Sequence, residues 1–281
     1  MTSPPVLISG LHQIAGDYDA LICDVWGVVH DGERPHWGAV EALKHFRTER
    51  GKVVLLSNAP RPAAAIEQQL AKIGVPADSY DAVVTSGGAA REDIAHRAAS
   101  EPLAMMHLGP ERDVALFEGL NVKLTGPEQA SVVLLTGLYD DEIETPEHYR
   151  DTLADLKRRG LTMICANPDI IVPRGGRLLH CAGGLARAYE AIGGEVIYYG
   201  KPHRPIFEVA FETAGSPKRP LVIGDGLETD IRGANGMGWD ALFIVDGVHA
   251  KELGGLTVEN LAALFAKKSV TARAAMGALA W

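Results

Sequence analysis

Short apolar runs alternate with longer amphipathic stretches along most of the chain. Ala20-Leu21-Ile22-Cys23 is the centre of an apolar segment over residues 18–26 and reads as a buried strand. Residues 38–50 then read as an amphipathic helix, and residues 52–56 as the next strand. Pro60 and Pro62 stand where a helix over residues 63–73 would begin, because a first helical turn tolerates proline's missing N–H. Residues 81–85, 221–223 and 241–245 read as further strands. Strands that are apolar on both faces and separated by helices indicate a parallel sheet covered on both sides. The expected core is α/β, a doubly wound (Rossmann-like) parallel sheet.

The middle of the chain repeats this grammar independently. Residues 103–108, 131–135 and 161–165 read as strands, and residues 146–159 as a helix with Tyr149, Leu153 and Leu156 on one face and charges on the other. This block lies between two groups of core-like motifs and is expected to be an inserted α/β domain over residues 87–189, within a core of residues 1–86 and 190–281. Gly87-Gly88 and Gly193-Gly194 are the hinge candidates. Residues 257–267 read as a helix that packs Leu261, Leu264 and Phe265 on the core, and the tail to Trp281 carries no readable pattern.

Composition narrows the function classes. The 281 residues are 47% hydrophobic and 22% charged, enough to bury a core. A net charge of −9 argues against a general nucleic-acid binder, which needs a basic footprint. Cys23, Cys165 and Cys181 are widely spaced and form no CxxC pair, so buried free thiols are expected rather than zinc ligands or disulfides. No basic segment followed by a long apolar run opens the chain, and no run approaches 18 apolar residues. A cytoplasmic protein without a membrane partner is expected.

Four separated pieces carry chemistry. Asp24-Val25-Trp26-Gly27 follows the first apolar strand, and a carboxylate at that end of a parallel strand lies where open α/β sheets bind ligands. Ser57-Asn58 ends the strand over residues 52–56, where a hydroxyl and backbone N–H groups suit a phosphate oxygen. Gly200-Lys201-Pro202 follows an apolar run over residues 196–199 and offers a cation to clustered carboxylates. Gly224-Asp225-Gly226-Leu227-Glu228-Thr229-Asp230 follows residues 221–223 and puts one carboxylate at a strand end and a second five residues on. A few carboxylates, completed by phosphate and water, are what Mg²⁺ prefers.

These residues, in this order, resemble the haloacid dehalogenase-like (HAD) hydrolases. More narrowly they look like class IIA, the sugar-phosphate, nucleotide and nitrophenyl phosphatase branch, in which the inserted domain is a cap. Ala166-Asn167-Pro168-Asp169, Gly175-Gly176 and Cys181-Ala182-Gly183-Gly184 are similar to that branch's cap loop and returning helix. The resemblance implies Asp24 as the nucleophile, forming an aspartyl phosphate. It implies Mg²⁺ held by Asp24, the backbone carbonyl of Trp26, and Asp225. Ser57 and Asn58 would bind the phosphoryl group, Lys201 would balance charge, and Asp230 would orient Lys201 or a metal-bound water. Asn167, Asp169 and Arg174 are the candidates for substrate contact. The implied partner is a small phosphorylated metabolite. Class IIA relatives often associate through their caps, so homo-oligomers formed that way stay open.

One position departs from the pattern. Family phosphatases carry a second aspartate two residues after the nucleophile, which protonates the leaving oxygen; here that residue is Trp26. An indole is neither a usable acid nor a base, and losing a positioned acid costs about 10²–10⁴-fold. Three readings stay open: a phosphatase for substrates with good leaving groups, a stand-in acid such as His30 or Asp31, or a catalytically weak protein that binds a phosphorylated ligand as sensor or scaffold. Rival chemistries lack anchors. Glu195 and Pro202 break a P-loop pattern around Lys201, and neither HExxH nor GxSxG occurs.

Overall fold

The computed structural model describes residues 5–174, 177–246 and 253–281, with Pro173 and Arg174 in backbone only. Its strands are β1 (Val6–Leu7), β2 (Ala20–Asp24), β3 (Lys52–Ser57), β4 (Ala82–Thr85), β5 (Leu103–Leu108), β6 (Val122–Leu124) and β7 (Val132–Leu135). They continue with β8 (Thr162–Cys165), β9 (Ile171–Arg174), β10 (Arg177–His180), β11 (Val196–Tyr198), β12 (Pro220–Gly224), β13 (Asp240–Ile244) and β14 (Ala274–Met276). The helices are α1 (His12–Ala15), α2 (Trp37–Glu49), α3 (Ala63–Ile73), α4 (Ser86–Arg97) and α5 (Arg150–Arg158). After them come α6 (Ala182–Ala191), α7 (Arg204–Thr213), α8 (Arg232–Met237) and α9 (Val258–Lys268).

The chain divides into two compact units. One comprises Met1–Ser57, Ala63–Val84 and Lys201–Trp281; the other comprises Asn58–Pro62 and Thr85–Gly200. The first unit is built on a seven-stranded sheet of order β1-β14-β13-β12-β2-β3-β4. From β1 across to β3 every neighbouring pair is parallel. All five residues of β2 are buried, which is why its apolar run is unbroken rather than alternating. On one face Ile22, Val54, Val222 and Phe243 pack with Ile206 and Phe207 of α7 and with Leu261, Leu264 and Phe265 of α9. Each such fully buried side chain contributes about 1.5–3 kcal/mol.

The chain runs from β2 to β3 and β4 on one side, and later returns through β12, β13 and β14 on the other. Strand order therefore reverses between β2 and β12, the place where open α/β sheets form their ligand crevice. The unpatterned tail is part of this sheet, because β14 pairs with both β13 and β1.

The second unit has its own five-stranded sheet of order β11-β8-β7-β5-β6, parallel throughout, and an antiparallel hairpin of β9 and β10. Leu153 and Leu156 of α5 and Leu185 and Tyr189 of α6 cover one face, against Val133, Leu135 and Met163. Ile94 of α4 packs with Leu134 and Ile164 on the other. The helix expected over 146–159 opens as a 3₁₀ turn, Pro146–Tyr149, before α5 begins. This unit continues to Gly200, past the expected border at 189, because β11 pairs in register with β8 (Val196 opposite Met163, Tyr198 opposite Cys165). Among the described residues, no helix is long and apolar enough to cross a membrane.

Candidate active site

Sheet register brings the first two carboxylates together. Ile223 of β12 lies opposite Cys23 of β2, so Asp24 and Asp225 leave the carboxyl ends of adjacent parallel strands one step apart. Asp24 and Asp225 are 8% and 3% exposed, and Asp230 and Lys201 are 2% and 3% exposed. The Lys201 ammonium donates to Asp24 Oδ1 at 2.5 Å, to Asp230 Oδ1 at 2.7 Å and to the Leu56 carbonyl at 3.3 Å. Carboxylate oxygens of Asp24, Asp225 and Asp230 lie within 4.8 Å of one another.

Local backbone geometry aims Asp230. Residues Leu227–Ile231 form one π-helical turn, in which the Ile231 N–H reaches the Gly226 carbonyl at 3.1 Å. Such turns recur at functional sites because the extra residue re-aims a side chain. Asp230 Oδ2 accepts from the Gly226 N–H and the Thr229 hydroxyl, each at 3.2 Å, which leaves Oδ1 to Lys201. Two glycines make room. A Cβ on Gly224 would stand 2.2 Å from Asp230 Cγ, and one on Gly27, whose φ is +87°, would stand 2.4 Å from Asp225 Oδ2.

Three carboxylates and one ammonium leave this buried cluster two formal positive charges short of neutral. Burial pulls the Lys201 ammonium down, but the charges of Asp230 and Asp24 and their hydrogen bonds outweigh it and hold it above the usual lysine range. Burial, and then the charge of Asp230, push the Asp24 carboxyl well above the usual range, against the pull of Lys201. Buried like charges need a compensating cation, and an all-oxygen donor set suits a hard divalent ion. The residues present fit such a cation.

Ser57 is the last residue of β3, half-buried and adjacent to the Leu56 carbonyl that Lys201 contacts. Trp26 is 46% exposed, with its backbone in an isolated bridge to His30. The His30 Nδ1 accepts the Gly32 N–H at 2.9 Å, and burial holds this ring below the usual histidine pKa. Asp31 Oδ1 accepts the N–H groups of Glu33 and Arg34 at 2.8 and 2.7 Å, which hold its carboxyl below the usual range. Asp31 is thereby a turn-forming carboxylate, poorly suited to donate a proton.

The other sequence-predicted residues meet in the second unit. Asn58 Nδ2 donates to Asp169 Oδ1 at 2.8 Å, and the Asp169 N–H donates to Asn167 Oδ1 at 3.1 Å. Arg174 lies on β9 opposite Arg177; its side chain, like Gly175-Gly176, falls outside the described residues. Sequence reasoning missed Thr229 and the Leu56 carbonyl, which fix Asp230 and Lys201. Thr229 sits inside the singled-out 224–230 segment, whereas a backbone acceptor has no sequence signal.

Comparisons with known proteins identify the family. Residues 21–123 match the family model of haloacid dehalogenase-like hydrolases, and residues 198–264 match a HAD-hydrolase-like model. The chain is similar to a haloacid dehalogenase-like hydrolase from Brucella suis, at 42% identity and a TM-score of 0.84 over 97% of this chain and all of that one. It is 26% identical over 258 residues to D-glycerol 3-phosphate phosphatase of Mycobacterium tuberculosis, covering 85% of this chain and 66% of that protein's length. A structure of the mycobacterial glycerol phosphate phosphatase in complex with magnesium aligns at 25% identity and a TM-score of 0.67, over 88% of this chain and 77% of that one.

Proposed function

The chain belongs to the haloacid dehalogenase-like hydrolases, in their class IIA branch, and on that premise we propose that it is a Mg²⁺-dependent phosphatase of a small phosphorylated metabolite. The observation that carries this reading is the buried contact of Lys201 with both Asp24 and Asp230, beside Asp225.

Asp24 is the nucleophile. Its carboxylate attacks phosphorus, the bond to the leaving oxygen breaks, and the phosphoryl group is carried as an aspartyl phosphate until water releases it. Lys201 offsets the charge that accumulates as an anionic nucleophile meets an anionic phosphate, and phosphoryl transfer depends mainly on such positioning and neutralisation. Asp230, fixed by Gly226 and Thr229, holds Lys201 in place. Ser57 and Asn58 bind the phosphoryl group, while Asn167 and Asp169, the latter hydrogen-bonded to Asn58, are assigned to substrate recognition. Asp24, Asp225 and the Trp26 carbonyl would hold the metal ion, which supplies positive charge to the phosphoryl oxygens when bound.

Trp26 sets the efficiency. No carboxylic acid stands at that position, and Asp31 is committed to its turn, so turnover of esters with poor leaving groups is slow. The deciding experiment is a panel of phosphate esters graded by leaving-group pKa, assayed with and without Mg²⁺. Metal-dependent hydrolysis that Asp24→Asn abolishes is expected, rising steeply as leaving-group pKa falls. Saturable ligand binding with no turnover for any ester would replace the enzyme with a phosphate-ligand sensor or scaffold.

A further inference from the structure

Helix α7 carries an aromatic side chain on its charged face. Ile206, Phe207 and Ala210 turn into the core, whereas Arg204, Glu208, Phe211 and Glu212 recur at the one-turn and two-turn spacings of a single outer stripe. Phe211 stacks on Trp239, with centroids 5.4 Å apart and planes at 22°. Trp239 in turn meets the fully buried Phe207 edge to face, at 6.2 Å and 73°. Trp239 and Phe211 are both half-buried. With Met237 and the three charged residues of α7 they line a groove of about 500 Å³, a size at which small molecules are held. Trp239 directly precedes β13, whereas Asp24 and Asp225 stand at or just beyond the carboxyl ends of strands that run parallel to it. The aromatic floor of the groove is therefore a strand's length from the aspartate cluster, and the reaction proposed above leaves it without a role.

The charge of the groove is not balanced. Arg204 Nε donates to Glu208 Oε1 at 2.6 Å, which offsets one carboxylate. Glu212 stands one turn further on, and among the described residues its side chain has no hydrogen-bond or ion-pair partner. Glutamates at this spacing repel each other, which a cation beside them relieves. The lining thus carries one net negative charge next to two fixed rings. A hydrated metal ion keeps its water and gains little from an aromatic wall. An alkylated ammonium sheds water at small cost, is drawn to an indole by cation–π attraction, and sets its methyl groups against the adaptable side chain of Met237.

We propose that the groove between α7 and Trp239 binds a small alkylated ammonium ion, a monocation seated against the Trp239–Phe211 pair with Glu212 as its counter-charge. Charge and rings together select this occupant. A neutral aromatic molecule would leave Glu212 unanswered. A second copy of the chain, whose net charge is −9, would bring like charge to an acidic groove. No bond is made or broken there, so the groove is a binding site and not a second catalytic centre.

Choline and 3,3-dimethylbutanol share a shape and differ in charge, because carbon replaces the quaternary nitrogen in the second. The full chain is titrated with each in Mg²⁺ at constant ionic strength. Binding is read by saturation transfer to the methyl protons of the ligand, and its place by the indole N–H signal of Trp239. Choline is expected to bind about 2- to 30-fold tighter than its neutral analogue, the range of a cation–π contact, and to shift the Trp239 signal saturably. Trp239→Leu, apolar but without an indole, should bring the two ligands close to equal. Because Trp239 also packs on Phe207, a variant at an exposed position keeps the test independent of folding. Glu212→Gln should weaken choline by about 1.4- to 5-fold, the range of an exposed ion pair, and leave the neutral analogue unchanged. Equal binding of the two ligands, no saturable shift of the Trp239 signal, or a choline affinity that ignores Glu212→Gln would each overturn the proposal. A Trp239 signal that moves with protein concentration and not with choline would overturn it in favour of contact between copies of the chain.

Discussion

A methyl group added at Gly224 would stand 2.2 Å from Asp230 Cγ, closer than two carbons can approach, so the carboxylate would have to move. Because Asp230 Oδ1 holds Lys201, a shift of about 1 Å would carry to the ammonium beside Asp24, and misplacements of that size cost about 10²-fold in rate. Gly224→Ala is therefore expected to lower kcat by about that factor while circular dichroism still reports a folded chain. Lys201 has a different role. It is the charge partner of two buried carboxylates, and removing one partner of a buried pair costs about 3–5 kcal/mol. Lys201→Met should be inactive and lose stability of that order in denaturant titrations. At Trp26 the expected direction reverses: Trp26→Asp restores a proton donor and should raise turnover of an alkyl phosphate by about 10²–10⁴-fold, with a smaller gain for an aryl ester that needs no protonation. Equal gains for both esters would contradict the missing-acid account. These residues were readable in advance because each sits at the end of an apolar run. The obligation on Gly224 was not readable, since it comes from a side chain placed by a π turn.

At the scale of elements, register decides more than composition does. Asp24 and Asp225 converge because β2 and β12 pair in parallel with Cys23 opposite Ile223, and a one-residue slip would turn either carboxylate to the other face. A titratable group on β5 gives a further expectation. His107 is held neutral by burial, below its usual pKa of 6.5, with its Nε2 2.9 Å from the Thr136 hydroxyl. His30 is shifted in the same direction, again by burial first. Above pH 6.5 the folded and unfolded chains hold these rings equally neutral. As pH falls through 6.5 the unfolded chain takes up protons first, so stability falls with pH until the folded-state values are reached. Asp24, whose carboxyl is shifted upward, contributes with the opposite sign, so the histidine term is read as a difference: between pH 7.5 and 5.5 in denaturant titrations, His107→Gln should lose less stability than the wild type. An identical loss in the variant would remove His107 from the account. The strands that escaped notice are short: β14 is Ala-Ala-Met, β1 has two residues, and β9 (Ile-Val-Pro-Arg) and β10 (Arg-Leu-Leu-His) carry only two consecutive aliphatic residues each.

At the scale of the whole molecule, each unit has its own sheet and core, and the aspartate cluster belongs to the unit with the seven-stranded sheet. A ligand of the folded state stabilises it by mass action, about 2.7 kcal/mol at 100 times its Kd. Saturating Mg²⁺ should therefore raise the melting temperature, and Asp225→Asn should abolish the rise. Leu156→Ala, in the core of the other unit, should cost about 2–5 kcal/mol yet leave the Mg²⁺-dependent rise intact. By itself the sequence determined what is local. Apolar runs buried on both faces declared the parallel strands, and the carboxylates at the ends of two of them marked the candidate site. Only the tertiary structure decided which strands are neighbours, that the second unit runs on to Gly200, and that Lys201 reaches Asp24 across 177 residues of chain. The reason is physical: strand pairing is made by backbone hydrogen bonds that every residue can form, so partner and register leave no mark on side-chain pattern until the sheet closes and buries it.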